Sequence, residues 1–127
     1  MKKLMLAASA CALMAGAASA EDVKIGILIG FTGPIESLTG HMANAAEAAM
    51  AEVNASGKAK NNYISVRGDD TCTDAAAATA ATERAVTAEG VKGIIGGDCS
   101  GVTRAMLTNV AMPNGIVMGF VGAATGL

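Results

Sequence analysis

The feature that most constrains the fold is the alternation of short apolar runs with longer alanine-rich segments. The apolar runs are rich in β-branched residues and are bounded by glycine or polar residues, as buried strands of parallel sheets are. The predicted strands cover residues 23–29, 63–68, 91–95 and 116–121. The segments between them carry apolar residues at helical spacing. The predicted helices cover residues 40–55, 75–89 and 102–112.

This order, β-α-β-α-β-α-β, predicts an α/β fold with three layers. Right-handed crossovers between successive strands give a parallel sheet with helices on both faces. Ligands of open parallel sheets bind in the crevice beyond the carboxyl ends of the strands. We therefore expect the functional site among the loops that follow the strands. These loops are residues 30–39, 69–74, 96–101 and 122–127.

The first twenty residues have the composition of a secretory signal peptide. Two lysines precede an uncharged apolar stretch, and residues 18–20 have the small-x-small form of a cleavage site. The apolar stretch is shorter than the ~20 residues that a transmembrane helix needs. We expect cleavage after Ala20 and export to the periplasm as a chain that begins at Glu21. Lipidation of Cys11 is an alternative that the residues before it favour less.

Export determines how the remaining cysteines are interpreted. Cys72 and Cys99 are an even pair in an oxidising compartment, where a disulfide is the expected state. A metal site and a redox pair are the alternatives. A metal site would need further ligands, His41 is the single histidine, and no C-x-x-C spacing is present. We therefore expect a structural disulfide and no metal.

Composition argues against several functional classes. Hydrophobic residues make up 52% of the chain and charged residues 16%, which is unlike an intrinsically disordered protein. The net charge is -2, so the basic excess of a nucleic-acid-binding protein is missing. The glycines at 26, 30 and 33 do not form the G-x-G-x-x-G fingerprint, and no P-loop lysine follows them. We expect no nucleic-acid partner and no cofactor.

Candidate catalytic residues lack the partners that catalysis requires. His41 stands alone, and Ser100 is not within a G-x-S-x-G elbow. Asp69 and Asp70 form a possible acid pair, but a polar turn after a strand is the simpler interpretation. The chain is therefore predicted not to be an enzyme.

Ser100 is a better candidate for binding an anion. The preceding glycine pair, 96–97, allows the backbone to approach a ligand closely, and Ser100 falls at or next to a helix N-cap. Its hydroxyl, with the N–H groups of Ser100 and Gly101, offers donors at the positive end of the helix dipole. A simple capping role is the alternative interpretation of the same residue.

Taken in order, these segments resemble one known family. The chain is similar to the N-terminal lobe of type I periplasmic solute-binding proteins, like the Leu/Ile/Val receptors of ABC importers. The resemblance spans residues 21–127, and its order and spacing are more specific than any single motif. The segments that carry it are Val23–Leu28 with Thr32–Pro34, Glu52–Gly57, Gly68–Cys72, Ile94–Thr103 and Asn114–Met118.

The resemblance implies a binding protein whose two lobes close on a ligand, with this chain as the first lobe and a second lobe absent from it. It implies a Cys72–Cys99 disulfide and carboxylate binding by Ser100 and its neighbour Gly101. The site residues that it implies after the fourth strand are Ala123, Ala124 and Thr125, which would hold the α-ammonium and carboxylate groups. This last match is by residue type, because the proline that commonly follows the fourth strand is missing here.

Two functions follow from the resemblance. The first is delivery of a branched-chain or similar amino acid to an inner-membrane ABC permease, without chemical reaction. The second is a sensory or regulatory ligand-binding domain of the same fold that recognises amino acids or short amides. The segment after the second lobe would discriminate between them, because a sensor continues into a transmembrane or signalling region.

The predicted signal peptide can be tested at the N-terminus of the exported protein. Edman degradation or intact mass of the periplasmic product is expected to place Glu21 at the N-terminus. Replacing Ala18 and Ala20 with bulky residues should abolish cleavage there, because signal peptidase requires small side chains at both positions. An N-terminus at a lipid-modified Cys11 would contradict this prediction.

Overall fold

The computed structural model describes residues 20–122, which alternate between strands and helices as predicted. The predicted signal peptide, up to residue 19, lies outside the described residues. The strands are β1 (Asp22–Ile29), β2 (Asn62–Asp69), β3 (Gly93–Gly96) and β4 (Val117–Gly119). The helices are α1 (Glu36–Ala55), α2 (Ala75–Thr87) and α3 (Ser100–Met106), and a π-helical turn (Leu107–Ala111) continues α3.

The four strands form one parallel sheet in the order β2-β1-β3-β4. All eight residues of β1 pair with β2, and Ile25–Leu28 also pair with β3 on the other side. Strand β1 therefore lies inside the sheet. The next strand in the chain, β2, is added on one side of it, and β3 and β4 are added on the other side. In open α/β sheets such a change of side opens a crevice at the carboxyl ends of the two strands concerned.

Helices cover both faces of the sheet, which confirms the predicted three-layer α/β fold. On one face, Ile27 and Ile29 of β1 pack against Ala43 of α1. On the other face, Leu28 lies in a core with Ala78 of α2 and Met106 of α3. Successive residues of β1 point to opposite faces, and small alanines let the helices approach the strands closely.

Helix α1 covers only part of its face of the sheet. Beyond it, an apolar groove of about 480 Å³ is lined by residues that include Ile25, Met50, Tyr63, Ile95 and Val117. Val117 on the edge strand β4 is 79% exposed. Within residues 20–122, no helix combines the length and apolar character needed to cross a bilayer.

Some element bounds differ from the sequence-based expectation. Helix α1 begins at Glu36, four residues before the predicted start at residue 40. The alanine-rich pattern that predicted the helix begins only after Gly40. The helix itself starts just after the turn at Pro34, with the acidic residue Glu36 at its positive end. Strand β4 is confined to Val117–Gly119, whose three residues pair with Gly93–Ile95 of the short strand β3.

The close approach of Gly96 to the backbone of β1 should make its substitution destabilising. A Cβ atom on Gly96 would lie 1.9 Å from the backbone oxygen of Leu28, at the centre of the sheet. Gly96→Ala should therefore force β1 and β3 apart and cost about 3 kcal/mol or more of unfolding free energy, like other severe overpacking of a core. Urea denaturation of the two proteins measures this cost.

Gly40→Ala is the matched control. Gly40 lies inside α1, and a Cβ there would meet no atom within 4 Å. Because alanine is the better helix former, this change should stabilise the protein by about 0.5–1 kcal/mol. Equal effects of the two substitutions would contradict the close packing assigned to Gly96.

Candidate functional site

Three loops meet at the carboxyl end of the sheet. They follow β1 (residues 30–35), β2 (70–74) and β3 (97–99). A disulfide joins Cys72 in the second loop to Cys99 in the third, with the two Cα atoms 5.1 Å apart. The predicted disulfide is thus present, and it links two loops that are not adjacent in the chain.

The loop after β2 has an unusual backbone that its own side chains support. Thr71 and Cys72 have φ angles of 60° and 65°, a left-handed conformation that is costly for residues other than glycine. The N–H of Thr71 donates to Asp69 Oδ1 at 2.9 Å, and the N–H of Cys72 donates to Asp70 Oδ1 at 2.8 Å. These carboxylates satisfy the backbone donors that the turn would otherwise leave without partners.

Asp69 connects this loop to the one after β1. Its Oδ2 accepts a hydrogen bond of 2.5 Å from the hydroxyl of Thr32, and its Oδ1 accepts from the Thr32 N–H at 3.3 Å. Partial desolvation acts to raise the pKa of Asp69, but the hydrogen bonds from Thr32, Thr71 and Phe31 outweigh it and lower the pKa. Asp69 is therefore a charged acceptor between two loops of the site.

Asp70 behaves differently from its neighbour because it is fully buried. It lies beside Asp98, which is 9% exposed and accepts a 2.7 Å hydrogen bond from the N–H of Gly30 through Oδ2. Burial raises the pKa of Asp70 to about 7, against the effect of the Cys72 N–H, and the negative charge of Asp98 adds to the increase. The sequence predicted a polar turn at 69–70, and the burial of Asp70 was not foreseen.

Ser100 lies where the sequence analysis placed it, next to the N-cap of α3. The N-cap itself is Cys99, which has extended backbone angles, and Ser100 is the first residue of the helix. Ser100 is half-buried and Gly101 is exposed. The Cys99 carbonyl accepts hydrogen bonds from both the N–H and the hydroxyl of Thr103, which fixes the first turn.

The other predicted binding residues, Ala123, Ala124 and Thr125, lie outside the described residues. The chain just before them approaches the loop after β3. Val121 donates its N–H to the Gly97 carbonyl at 3.3 Å, and a Cβ on Gly122 would lie 2.7 Å from the Asp98 backbone oxygen. The segment after β4 therefore starts alongside the loop that leads into Ser100.

One group of potential metal ligands occurs at this edge of the sheet. The sulfur atoms of Cys72 and Cys99 lie with a carboxylate oxygen of Asp98 within 4.8 Å of one another. Thiolates are the form of cysteine that binds metal ions, and both sulfurs are bonded to each other in the disulfide. While that bond is intact, these side chains serve to connect loops.

Comparisons with known proteins define the family. A family model described as "Periplasmic binding protein" matches residues 22–127. The Leu/Ile/Val-binding protein homolog 7 of Brucella melitensis is 40% identical over 103 residues, which are 80% of this chain and 25% of that protein. The Leu/Ile/Val-binding protein of Escherichia coli is 33% identical over 103 residues, 80% of this chain and 28% of the relative.

Solved structures show the same fold. The substrate-binding protein LivJ of a branched-chain amino acid transporter from Streptococcus pneumoniae, in complex with isoleucine, superposes with a TM-score of 0.74 at 25% identity. The match covers 84% of this chain and 30% of LivJ. A Rhodopseudomonas palustris solute-binding protein in complex with 4-hydroxybenzoate has a TM-score of 0.71 at 19% identity, covering 83% of this chain and 28% of that one.

The chain therefore belongs to the periplasmic binding protein family, as the sequence resemblance suggested. It spans about a quarter of the length of the curated relatives that it matches. Those relatives and structures are described as binding proteins, several of them components of transporters.

The Cys72–Cys99 disulfide is expected to stabilise the folded chain. Replacing Cys72 and Cys99 together by alanine releases a loop with a sequence separation of 27 residues. The change should lower the unfolding free energy by about 3–4 kcal/mol, from the entropy that the unfolded chain regains. Urea denaturation of the oxidised protein and the double variant measures it.

Reduction provides the control for that comparison. Dithiothreitol should destabilise the parent protein by a similar amount and leave the double variant unchanged. A parent protein that is insensitive to reductant would contradict a structural disulfide.

Proposed function

We propose that this chain is the first lobe of the periplasmic solute-binding protein of an ABC importer, and that it receives a branched-chain or similar amino acid. The observation that carries the proposal is the position of Ser100. It begins α3 at the carboxyl end of β3, beside the disulfide and in the crevice region where parallel sheets bind ligands. The names of the curated relatives support the same class of ligand.

The ligand carboxylate would bind at the start of α3. The hydroxyl of Ser100 and the N–H groups of Ser100 and Gly101 are donors of the kind that bind anions at a helix N-terminus. Ala123, Ala124 and Thr125 would contact the α-ammonium and the remaining carboxylate oxygen. A second lobe would cover the opposite side of the ligand, because small-molecule sites bury most of the ligand surface.

Cleavage after Ala20 would release the protein into the periplasm, where it would deliver its ligand to an inner-membrane ABC permease. Binding and lobe closure involve no chemical reaction, so no catalytic residue is assigned.

Calorimetric titration tests the ligand class. The native gene product, isolated from the periplasm and freed of ligand by partial unfolding, is titrated with leucine, isoleucine and valine. 4-Hydroxybenzoate provides the comparison, since one structural neighbour binds it. Saturable binding of the aliphatic amino acids supports the proposal. Binding of the benzoate alone would keep a carboxylate site but overturn the amino-acid assignment.

Ser100→Ala tests the site itself. Loss of a hydrogen bond to a charged carboxylate should weaken amino-acid binding by about 1–3 kcal/mol in the same titration. Thr87→Ala is the control, because Thr87 is exposed at the end of α2 and its hydroxyl donates only within that helix. Unchanged affinity in the Ser100 variant would remove this residue from the binding site.

A further inference from the structure

Two buried carboxyl groups lie beneath the three loops of the candidate site. Asp70 is fully buried and Asp98 is 9% exposed. Their carboxyl groups lie within hydrogen-bonding reach of each other. Asp70 Oδ2 and Asp98 Oδ1 each lack a hydrogen-bond donor among the described residues. Buried polar atoms in native proteins almost always have a partner, so this arrangement requires an explanation.

The outer oxygens of the pair already have fixed roles. Asp98 Oδ2 accepts from the N–H of Gly30, and Asp70 Oδ1 accepts from the N–H of Cys72. A Cβ on Gly30 would lie 3.4 Å from both of these oxygens, so the side chains are packed tightly around the end of β1. Each carboxyl group therefore keeps one oxygen without a donor, and the two groups lie close together.

The charged groups near Asp70 do not favour its ionised form. Asp69 at the end of β2 is an acceptor for Thr32 and Thr71, and Asp74 in the following loop is an acceptor for the N-terminus of α2. The charged group that acts on Asp70 is the carboxylate of Asp98, which disfavours a second negative charge. The first charged residues of the neighbouring helices are Glu36 in α1 and Arg104 in α3.

We propose that Asp70 and Asp98 share one proton, and that the protonated pair positions the loops of the candidate site. One proton would turn an oxygen of one carboxyl group into a donor to the other group, so that both oxygens without donors gain a hydrogen-bond partner. The pair then connects Gly30 after β1, Cys72 after β2 and Asp98 after β3. These are positioning residues, and their effect on ligand binding rests on the proposed function.

The proposal predicts the direction of a pH dependence. A carboxyl group that keeps its proton in the folded state stabilises that state less as the pH rises. The pKa of Asp70 is raised from 3.8 to about 7. The contribution is therefore fully present below about pH 4 and is lost as the pH rises to about 7. The folding equilibrium constant should fall by up to about tenfold per pH unit in this interval.

Asp98→Asn separates this device from a merely structural role. The introduced amide keeps an oxygen for the Gly30 N–H and donates an N–H to Asp70, so the contact survives without a shared proton. Urea denaturation of the full chain, without ligand, is measured from about pH 5 to about pH 8. The parent protein should lose stability with rising pH, and the variant should have a shallower profile, because burial still raises the pKa of Asp70 but the negative charge of Asp98 no longer adds to it.

Two further variants make the experiment decisive. Asp70→Asn should flatten the profile further, because its amide does not titrate, donates to Asp98 and still accepts from the Cys72 N–H. The double variant Asp70→Asn/Asp98→Asn should be destabilised at every pH, since two NH₂ groups then face each other. Asp69→Asn is the control and should keep the pH slope of the parent, because the lowered pKa of Asp69 leaves it charged throughout this interval.

Parallel pH profiles for the parent and for both single variants would overturn the proposal. Should neither single variant fold, carbon-13 NMR of the parent carboxyl groups supplies the test, with a buried aspartate titrating near pH 7 expected. The absence of any such titration would also overturn it. Neither measurement involves an amino-acid ligand, so failure here is distinguishable from failure of the proposed function.

Discussion

The attachment of three loops to one another at the carboxyl end of the sheet is the constraint on which the candidate site depends. The Cys72–Cys99 disulfide joins the loops after β2 and β3 covalently. The hydrogen bond from Gly30 to Asp98 joins the loops after β1 and β3 at 2.7 Å. Without these links, each loop would have to be ordered by its own short-range contacts, at about 1–2 kcal/mol of backbone entropy per residue.

The position of the site follows from strand order. Strand β1 pairs with both β2 and β3. The loop after β1 leads to α1 on one face of the sheet, and the loops after β2 and β3 lead to α2 and α3 on the other face. The resulting crevice is bordered by side chains of two kinds. Asp69 and Thr32 form an exposed polar network, while Asp70 and Asp98 lie beneath it.

Much of the fold was predictable from local patterns. β-branched runs and alanine-rich segments indicated the order of elements, and right-handed crossovers then implied a parallel sheet with helices on both faces. The cysteine pair was predictable because export and an even count favour a disulfide. The early start of α1 at Glu36 was missed because the prediction followed the alanine pattern and not the turn after Pro34, and the π-helical turn after Met106 has no sequence signal that indicated it.

The site was less predictable because its partners are distant in sequence. Nothing in the pair Asp69-Asp70 indicates that one carboxylate faces solvent while the other is buried against a residue 28 positions later. The left-handed backbone of Thr71 and Cys72 was equally hidden, since neither residue favours it. Ser100 and Gly101 were located correctly at the start of α3, and their role in binding stays a prediction. Ala123, Ala124 and Thr125 lie outside the described residues.

Native-state amide hydrogen exchange would test the attachment of the loops most directly. The N–H groups of Gly30, Cys72 and Gly97 belong to different loops and have acceptors in Asp98, Asp70 and Leu28. If the loops form one unit, these amides should exchange with opening free energies close to those of central β1 amides, and all three should lose protection together on reduction. Independent exchange at the rates of unprotected loop amides would contradict the account.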